Sequence, residues 1–155
     1  MSNYIRVFQD GYSYFITIVT YRREPILIEH IGLLRKSFSL SKKRYSYTID
    51  AIIVLPDHLH MIITPENARE YPKIISHIKR SFVYGLDTKL KEDAKMTLSR
   101  SSYNRKLSGI WQKRFYEHTI KDEKDWQDKM HYIRHNAVKH HLADTWNDWK
   151  YSSFA

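Results

Sequence analysis

His58 and His60 are separated by one residue inside an apolar stretch that is rich in β-branched residues. Successive side chains of a β-strand point to opposite faces, so both imidazoles project from one face of the strand that this stretch predicts. Two imidazoles on one face can bind one metal ion, although such pairs are more often structural. Asp57 either serves a turn before the strand or orients His58 through a hydrogen bond. The pair therefore predicts half of a metal site.

Tyr132 and Asn136 are four residues apart in a segment with helical periodicity, so they share one face of the helix. A tyrosine hydroxyl is a poor nucleophile at its usual pKa of about 10, but a divalent cation beside it stabilises the phenolate. The carbonyl oxygen of Asn136 could complete a ligand set with the two histidines. The chain has no cysteine, and its remaining ligand types suit Mg²⁺ or Mn²⁺ at a phosphate as well as Zn²⁺. Together these residues predict in-line attack on a phosphodiester.

Three further side chains compete for roles at this site. His118 would tune the site or transfer a proton if it lies beside the histidine strand, and would otherwise be a structural histidine. Tyr116 and Tyr151 are rival nucleophiles by their chemistry alone. Of the three tyrosines, only Tyr132 has an amide side chain one helical turn away, so we expect Tyr132 to be the nucleophile.

The chain is strongly basic, with a formal charge of +9 and twelve tyrosines and four tryptophans beside the charges. A phosphate backbone is the commonest partner for such a surface, and the aromatic rings could stack on bases. A solvated basic surface without a partner is the alternative. The residues that we expect to contact nucleic acid are basic and occur in small clusters: Lys79, Arg80, Arg105, Lys106, Lys113, Arg114 and Lys139.

Hydrophobic periodicity predicts the elements that position these residues. We expect strands over 12–21, 47–55, from 58 onwards and 111–120, and helices over 28–43, 70–86 and 122–139. The continuous apolar run 51–55 predicts a central strand, and Pro56 and Asp57 predict a tight hairpin whose histidine strand begins at a sheet edge. Residues 89–108 predict a mobile loop on the nucleic-acid side, and the aromatic tail 142–155 should pack back on the domain.

This order of elements predicts an α+β fold of the ferredoxin-like or RRM-like kind, an antiparallel sheet with packed helices and an extra C-terminal helix that carries the tyrosine. Residues 1–155 should form a single domain. No apolar run is long enough for a membrane span or a signal peptide, so we expect a cytoplasmic protein without a membrane partner.

The chain resembles the IS200-like family of single-tyrosine HUH transposases, and within it the domesticated REP-associated tyrosine transposases. The resemblance covers nearly the whole chain and depends on an ordered set of motifs, each weak alone. These motifs are LPDHLH at 55–60, WQ at 111–112 with FYEH at 115–118, YIxxN at 132–136 and WxYSSF at 149–154.

The resemblance implies that His58, His60 and Asn136 hold Mg²⁺ or Mn²⁺ and that Tyr132 is the nucleophile. Members of this family cut single-stranded DNA and keep the 5′ phosphate on the tyrosine, so the resemblance implies a partner of single-stranded DNA with a hairpin. Members occur as monomers and as homodimers, and we favour the monomer. The chain departs from the family in having Ala137 where proline is common, which would let the helix run further.

Two other functions remain compatible with the residues. An RRM-like single-stranded nucleic-acid-binding protein without catalysis would use sheet aromatics to stack on bases, and it would not need a metal. A histidine-metal hydrolase that forms no covalent intermediate would turn over without Tyr132.

Overall fold

The computed structural model describes residues 10–155, and its centre is a four-stranded antiparallel sheet. The strands are β1 (Tyr14–Val19), β2 (Tyr47–Val54), β3 (His58–Pro65) and β4 (Tyr116–Thr119). Their order across the sheet is β2-β3-β1-β4. The helices are α1 (Ile31–Arg44), α2 (Tyr71–Gly85), α3 (Thr88–Met96), α4 (Arg100–Asn104) and α5 (Glu123–Lys139). This arrangement confirms the predicted ferredoxin-like α+β class.

Helices cover both faces of the sheet. On one face, Ile16 and Leu59 of the sheet pack with Leu34 of α1 and with Ile75 and Phe82 of α2. On the opposite face, Phe15, Ala51 and Ile62 pack with Ile133 and Ala137 of α5. Side chains alternate between the faces along each strand, so Leu59, Met61 and Ile63 face α1 and α2 whereas His58 and His60 face α5. The extra helix thus lies over the face that carries the histidines.

The position of β2 differs from the prediction, because this strand lies at an edge of the sheet and β3 lies inside it. The apolar run 51–55 is nevertheless covered on both faces, and the C-terminal tail closes the exposed edge. The backbone N–H of Val54 donates to the Tyr151 carbonyl at 2.8 Å, and that of Ser153 donates to the Ile52 carbonyl at 2.9 Å. The tail therefore packs back on the domain, as predicted. Because it covers the edge of β2, this edge strand is shielded from water as a central strand would be, which accounts for its apolar run 51–55.

Residues 89–108 were wrongly predicted to be a loop, since α3 and α4 occupy most of that segment. Each helix has a side-chain N-cap: Asp87 accepts from the N–H of Lys89 at 2.7 Å, and Ser99 accepts from that of Ser102 at 3.1 Å. The fourth strand is also shorter than predicted. Trp111 makes only an isolated bridge to Thr20 before the strand begins at Tyr116.

None of the helices within residues 10–155 is both long enough and apolar enough to cross a membrane. The predicted single domain over 1–155 begins with nine residues that lie outside the described ones.

Candidate active site

The two histidines lie on the inner strand β3 beneath α5. Their side chains project from the same face, and their ring centroids are 4.9 Å apart. Each residue is only 5% exposed. The expected position at a sheet edge is wrong, because β1 and β2 flank β3 on both sides. The Pro56–Asp57 turn is as tight as predicted, since the N–H of Leu55 donates to the His58 carbonyl at 2.8 Å.

Each imidazole is oriented through its Nδ1 atom by an oxygen. Nδ1 of His58 lies 2.6 Å from Oδ1 of Asp57, and Nδ1 of His60 lies 2.7 Å from Oγ1 of Thr17. An Nδ1–H that donates to such an oxygen leaves the Nε2 lone pair free to bind a metal ion. Of the two roles that the sequence allows for Asp57, the one that orients His58 through a hydrogen bond requires this contact. Nε2 of His60 is buried without a hydrogen-bond partner in the described part of the chain.

Helix α5 brings Tyr132 and Asn136 over the histidines. The Tyr132 ring centroid is 5.1 Å from that of His60 and 5.8 Å from that of Phe15. Tyr132 is 36% exposed, so its hydroxyl can meet a substrate, whereas Asn136 is 1% exposed. The helix begins where predicted, because the Asp122 side chain accepts from the N–H of Asp125 at 2.8 Å. Tyr132 contacts His60, and His140, two helical turns further along α5, contacts His58 with ring centroids 5.2 Å apart. Asn136 lies between them on the same face of the helix.

The donor atoms fit a divalent cation. Within the described residues, Oδ1 and Nδ2 of Asn136 join Nε2 of His60 as buried polar atoms without a hydrogen-bond partner. Such atoms are rare in native proteins because their desolvation is not compensated. A bound cation would compensate Nε2 of His60 and Oδ1 of Asn136, whereas the Nδ2 hydrogens of Asn136 require an acceptor. No group of three or more His, Cys, Asp or Glu residues within 10–155 is arranged to hold a metal. The amide oxygen of Asn136 stays the predicted third ligand beside the two histidines.

Lys139 and Arg23 carry positive charge close to these atoms. Burial, and after it the electrostatic effect of His58, His140, Lys139 and Arg23, together lower the pKa of His60 to about 3. The imidazole is therefore neutral at pH 7, as a metal ligand must be. The His140 ring lies 5.2 Å from that of His58, and Nζ of Lys139 lies 5.0 Å from the Tyr132 ring centroid. Lys139 therefore places a positive charge beside Tyr132 that can attract a phosphate.

Asp57 supplies the negative charge beside these cations. Burial alone would raise the pKa of its carboxyl, but the hydrogen bond and charge of His58, together with Arg23, leave it below its usual value. Nη1 of Arg23 lies 3.5 Å from Oδ2 of Asp57. The carboxylate is therefore ionised at neutral pH and is shared between His58 and Arg23.

Thr17, Arg23 and His140 were not identified from the sequence. Thr17 is opposite His60 in the β1–β3 register, which sequence patterns do not specify. Arg23 belongs to the Arg22-Arg23 pair, and His140 is the C-cap of α5. In the sequence, Arg23 stands out only as part of a basic cluster, and His140 only as part of the histidine-rich end of the helix.

His118 lies on β4, and its Nε2 is 2.7 Å from Oδ2 of Asp125 in the first turn of α5. In the part of the chain that the structure describes, no hydrogen bond or ring contact joins His118 to His58, His60 or Tyr132. The hydrogen bond between His118 and Asp125 holds the start of α5 against the sheet.

The basic residues predicted to contact nucleic acid form two regions. Lys79, Arg80, Lys106 and Lys113 line a cavity of about 470 Å³ with Trp111, on the side of the sheet that carries α2. Arg105 and Arg114 are exposed, and each is adjacent in sequence to a cavity residue, Lys106 and Lys113 respectively. Lys139 alone of the set lies beside Tyr132.

Lys79 differs from the other cavity lysines. Its Nζ donates to the carbonyl oxygens of Gln112 at 2.8 Å and Lys113 at 3.3 Å, and burial lowers its pKa to about 8. Lys79 therefore holds the 112–113 segment in place, while Lys113 itself is exposed.

Comparison with known proteins identifies the family. The family described as "Transposase IS200 like" matches residues 8–136. The chain belongs to this family. It is 39% identical to a Haemophilus influenzae protein that is provisionally named a REP-associated tyrosine transposase. The alignment covers 99% of this chain and 86% of that protein. It is 31% identical to the REP-associated tyrosine transposase of Escherichia coli, in an alignment that covers 99% of this chain and 83% of that protein.

A solved structure supports the same assignment. A REP-associated tyrosine transposase bound to a REP hairpin superimposes with a TM-score of 0.79 at 30% identity, over 99% of this chain and 83% of that one. This member of the IS200-like family is accordingly a transposase-like enzyme that cleaves DNA.

Proposed function

We propose that this IS200-like transposase is a metal-dependent endonuclease and strand transferase for single-stranded DNA. It acts near DNA hairpins through a 5′-phosphotyrosine at Tyr132. One observation carries the proposal: the Tyr132 ring lies 5.1 Å from the His60 ring, beside the unpartnered buried atoms of His60 and Asn136. This contact supports the proposal that the nucleophile and the metal ligands belong to one site.

In this proposal, Nε2 of His58, Nε2 of His60 and Oδ1 of Asn136 hold Mg²⁺ or Mn²⁺. When bound, the ion would stabilise the Tyr132 phenolate and polarise the scissile phosphodiester. Asp57 and Thr17 keep the two rings turned so that Nε2 points to the site, since each binds the opposite ring nitrogen. In this proposal the protein supplies oriented ligands and a partly exposed tyrosine.

The proposed step balances without an added co-reactant. Tyr132 Oη loses its proton and attacks phosphorus, the bond from phosphorus to the 3′ oxygen breaks, and that oxygen leaves as a 3′ hydroxyl after gaining a proton. The 5′ phosphate stays on the tyrosine. Because the phosphotyrosine keeps the energy of the phosphodiester, a 3′ hydroxyl can reverse the step and rejoin or exchange strands without ATP.

The proposed substrate is single-stranded DNA bearing a hairpin, bound by the protein as a monomer. A relative at 30% identity has been solved with a REP hairpin, and this chain carries basic residues around the α2 cavity and at Lys139. Phosphates attract such surfaces without regard to sequence, so these residues would supply affinity.

The competing RRM-like function has less support. RRM domains stack bases on aromatic residues of an open sheet face. Here α5 covers that face, and Phe15 on it packs against His60 and Tyr132 with ring centroids 5.5 and 5.8 Å away.

Replacing Tyr132 tests the nucleophile. Tyr132→Phe removes one oxygen that packing does not require, so the fold and DNA affinity should persist while cleavage and the covalent adduct both disappear. The measurement is a denaturing gel of end-labelled hairpin DNA incubated with protein and Mn²⁺. Tyr116→Phe is the matched control, since Tyr116 is 58% exposed and contacts the same Phe15 ring at 6.3 Å. An adduct that survives in Tyr132→Phe, or is lost only in Tyr116→Phe, contradicts the proposal.

Replacing either histidine tests the ligands. His58→Ala or His60→Ala should abolish Mn²⁺-dependent cleavage and leave hairpin DNA binding within about threefold, because ligands act on the chemical step and the basic surface acts on association. Gel-shift titration and the cleavage assay separate the two effects. Cleavage by both variants at low Mn²⁺ would exclude this ligand set.

A further inference from the structure

The turn that follows β1 has an unusual backbone. Arg22 and Arg23 are adjacent, and their φ angles are 55° and 58°. Residues with a Cβ rarely adopt this left-handed region, and two in succession need support from the surrounding structure. Outliers of this kind concentrate at functional sites, so the side chains that this turn presents are candidates for a role.

Hydrogen bonds hold this turn against the loop that precedes the histidine strand. Thr20 donates to the Asp57 carbonyl from its N–H at 2.9 Å and from Oγ1 at 3.0 Å, and Oγ1 also reaches the Glu24 carbonyl at 2.8 Å. Leu27 donates to the Pro56 carbonyl at 2.9 Å. The turn is thus fixed to the segment that carries Asp57 and His58.

The two arginines point to different surroundings. Arg23 Nη1 lies 3.5 Å from Asp57 Oδ2 and 3.5 Å from His58 Nδ1, and the Arg23 side chain is 59% exposed. Arg22 instead lies over the Tyr21 ring, 5.5 Å from its centroid. Only Arg23 therefore reaches the candidate active site.

The Arg23 guanidinium retains capacity for another partner. In the described residues both contacts involve Nη1. The contact with Asp57 is at the outer limit of a hydrogen bond, and the approach to His58 is not one, because Nδ1–H of His58 donates to Asp57. Asp57 already pairs with His58 at the shorter distance of 2.6 Å. The remaining N–H groups are available for an anion, and a guanidinium fork matches the geometry of a phosphate.

We propose that Arg23 binds a non-bridging oxygen of the scissile phosphate. The inference rests on the proposed function, since it places the phosphate between Tyr132 and the histidine pair. Arg23 lies on the His58 side of that position, and Lys139 lies over Tyr132. A cation on each side would orient the diester for in-line attack and stabilise the charge that develops on its oxygens. The left-handed turn fixes the arginine where this contact is made.

Binding without metal tests the contact directly. The probe is a hairpin oligonucleotide in which a neutral methylphosphonate replaces the phosphate at the cleavage position mapped with wild-type protein. In EDTA, wild type should bind the unmodified probe about tenfold more tightly than the modified one, as expected for one charge-assisted contact. Arg23→Gln should lose most of this preference and keep only the smaller part that Lys139 contributes. Arg22→Gln, which removes a cation from the same turn, should behave as wild type.

The cleavage rate gives a second measurement. With saturating Mn²⁺ and DNA, Arg23→Gln should slow single-turnover cleavage by about 10²- to 10³-fold, the usual effect of removing one transition-state donor. Arg23→Lys should recover part of that loss, and Arg22→Gln should stay within about threefold of wild type. The Mn²⁺ concentration for half-maximal rate should be unchanged in Arg23→Gln.

Any one of four outcomes overturns the inference. The first is an equal preference for the unmodified probe in Arg23→Gln and wild type. The second is an equal loss of cleavage rate in Arg22→Gln and Arg23→Gln. The third is a loss that higher Mn²⁺ restores, because Arg23 would then act only by orienting Asp57 and His58. If wild type itself forms no adduct in the same assay, the proposed function fails; if wild type cleaves and the Arg23 variants cleave equally fast, only the role of Arg23 fails.

Discussion

At the level of single residues, the orientation of the two imidazoles depends on oxygens from outside the ligand set. Asp57 precedes His58 in the chain, whereas Thr17 reaches His60 from the neighbouring strand at 2.7 Å. A hydrogen bond of this kind fixes which ring nitrogen is free and keeps the ring in place, and its loss commonly weakens metal binding or activity 10- to 100-fold. Thr17 should therefore matter although it touches neither the DNA nor the ion.

We expect Thr17→Val, which keeps the side-chain shape, to raise the Mn²⁺ concentration for half-maximal cleavage by about 10- to 100-fold. The measurement is the cleavage rate as a function of Mn²⁺ at fixed DNA. Thr48→Val is the control, because Thr48 is an exposed β2 residue whose hydroxyl contacts only Asp50 at 3.4 Å in the described structure. An unchanged Mn²⁺ dependence in Thr17→Val would show that this hydrogen bond does not hold the ligand.

The residues of the site differ in how far the sequence predicts them. Residue type and spacing were enough to select His58, His60, Tyr132 and Asn136, because periods of two and of about four residues place side chains on one face of a strand or helix. Thr17 and Arg23 escaped because their positions depend on strand register and on a left-handed turn. Neither property is a pattern within a short segment. The roles of all these residues stay predictions.

At the level of elements, α5 ends in a Schellman motif. Leu142 donates to the Ala137 carbonyl at 2.9 Å, and His141 donates to the Val138 carbonyl at 3.0 Å. His141 occupies the left-handed position with φ 59°, where glycine is the usual residue. Ala137 is buried, and the helix continues past it to Lys139, as expected for alanine at this position.

His141→Gly should increase the free energy of unfolding by about 0.5 to 1 kcal/mol, since removing the left-handed strain outweighs the extra freedom of glycine in the unfolded chain. Urea denaturation followed by circular dichroism measures this change. His140→Gly is the matched control and should decrease the free energy of unfolding, because His140 has φ −91° and gains nothing from glycine. A loss of stability in His141→Gly would contradict this account.

The elements themselves show where sequence patterns succeed and fail. The strands and long helices followed their periodicity, and the Asp122 cap was recognisable beforehand. Hydrophobic periodicity does not predict α3 and α4, because their segment is polar, although Asp87 and Ser99 are ordinary N-cap residues. The edge position of β2 was missed because the covering tail is distant in sequence, joined to β2 by bonds such as Trp149 Nε1 to the Val54 carbonyl at 2.8 Å.

At the level of the whole molecule, the two basic regions lie on different sides of the sheet. The cavity beside α2 is on one side, and Tyr132 with Lys139 is on the other. The segment that precedes β4 links the cavity to the turn that carries Arg22 and Arg23. Gln112 donates to the Val19 carbonyl at 2.9 Å, and Tyr21 donates to the Ile110 carbonyl at 2.8 Å. A DNA strand that contacts both regions would therefore run along this segment past Arg23.

This path predicts how salt affects binding. Each phosphate that a lysine or arginine neutralises contributes about 0.7 to 0.9 to the slope of log affinity against log salt, so affinity for hairpin DNA should fall steeply with salt. Lys113→Ala, which removes an exposed cation of the cavity, should reduce that slope by about one such increment. A flat response in the wild type would contradict nucleic-acid binding altogether.

Lys79→Met provides the matched comparison within the same cavity. Nζ of Lys79 is engaged by the carbonyl oxygens of Gln112 and Lys113 at 2.8 and 3.3 Å, so its charge should not neutralise a phosphate. We expect this variant to weaken binding by displacing the 112–113 segment while the slope stays that of wild type, because slope counts phosphate contacts and affinity also reflects how well they are positioned. Fluorescence anisotropy at four or more salt concentrations measures both quantities. If Lys79→Met and Lys113→Ala reduce the slope equally, the Lys79 ammonium leaves its carbonyl partners in the complex and contacts the DNA directly.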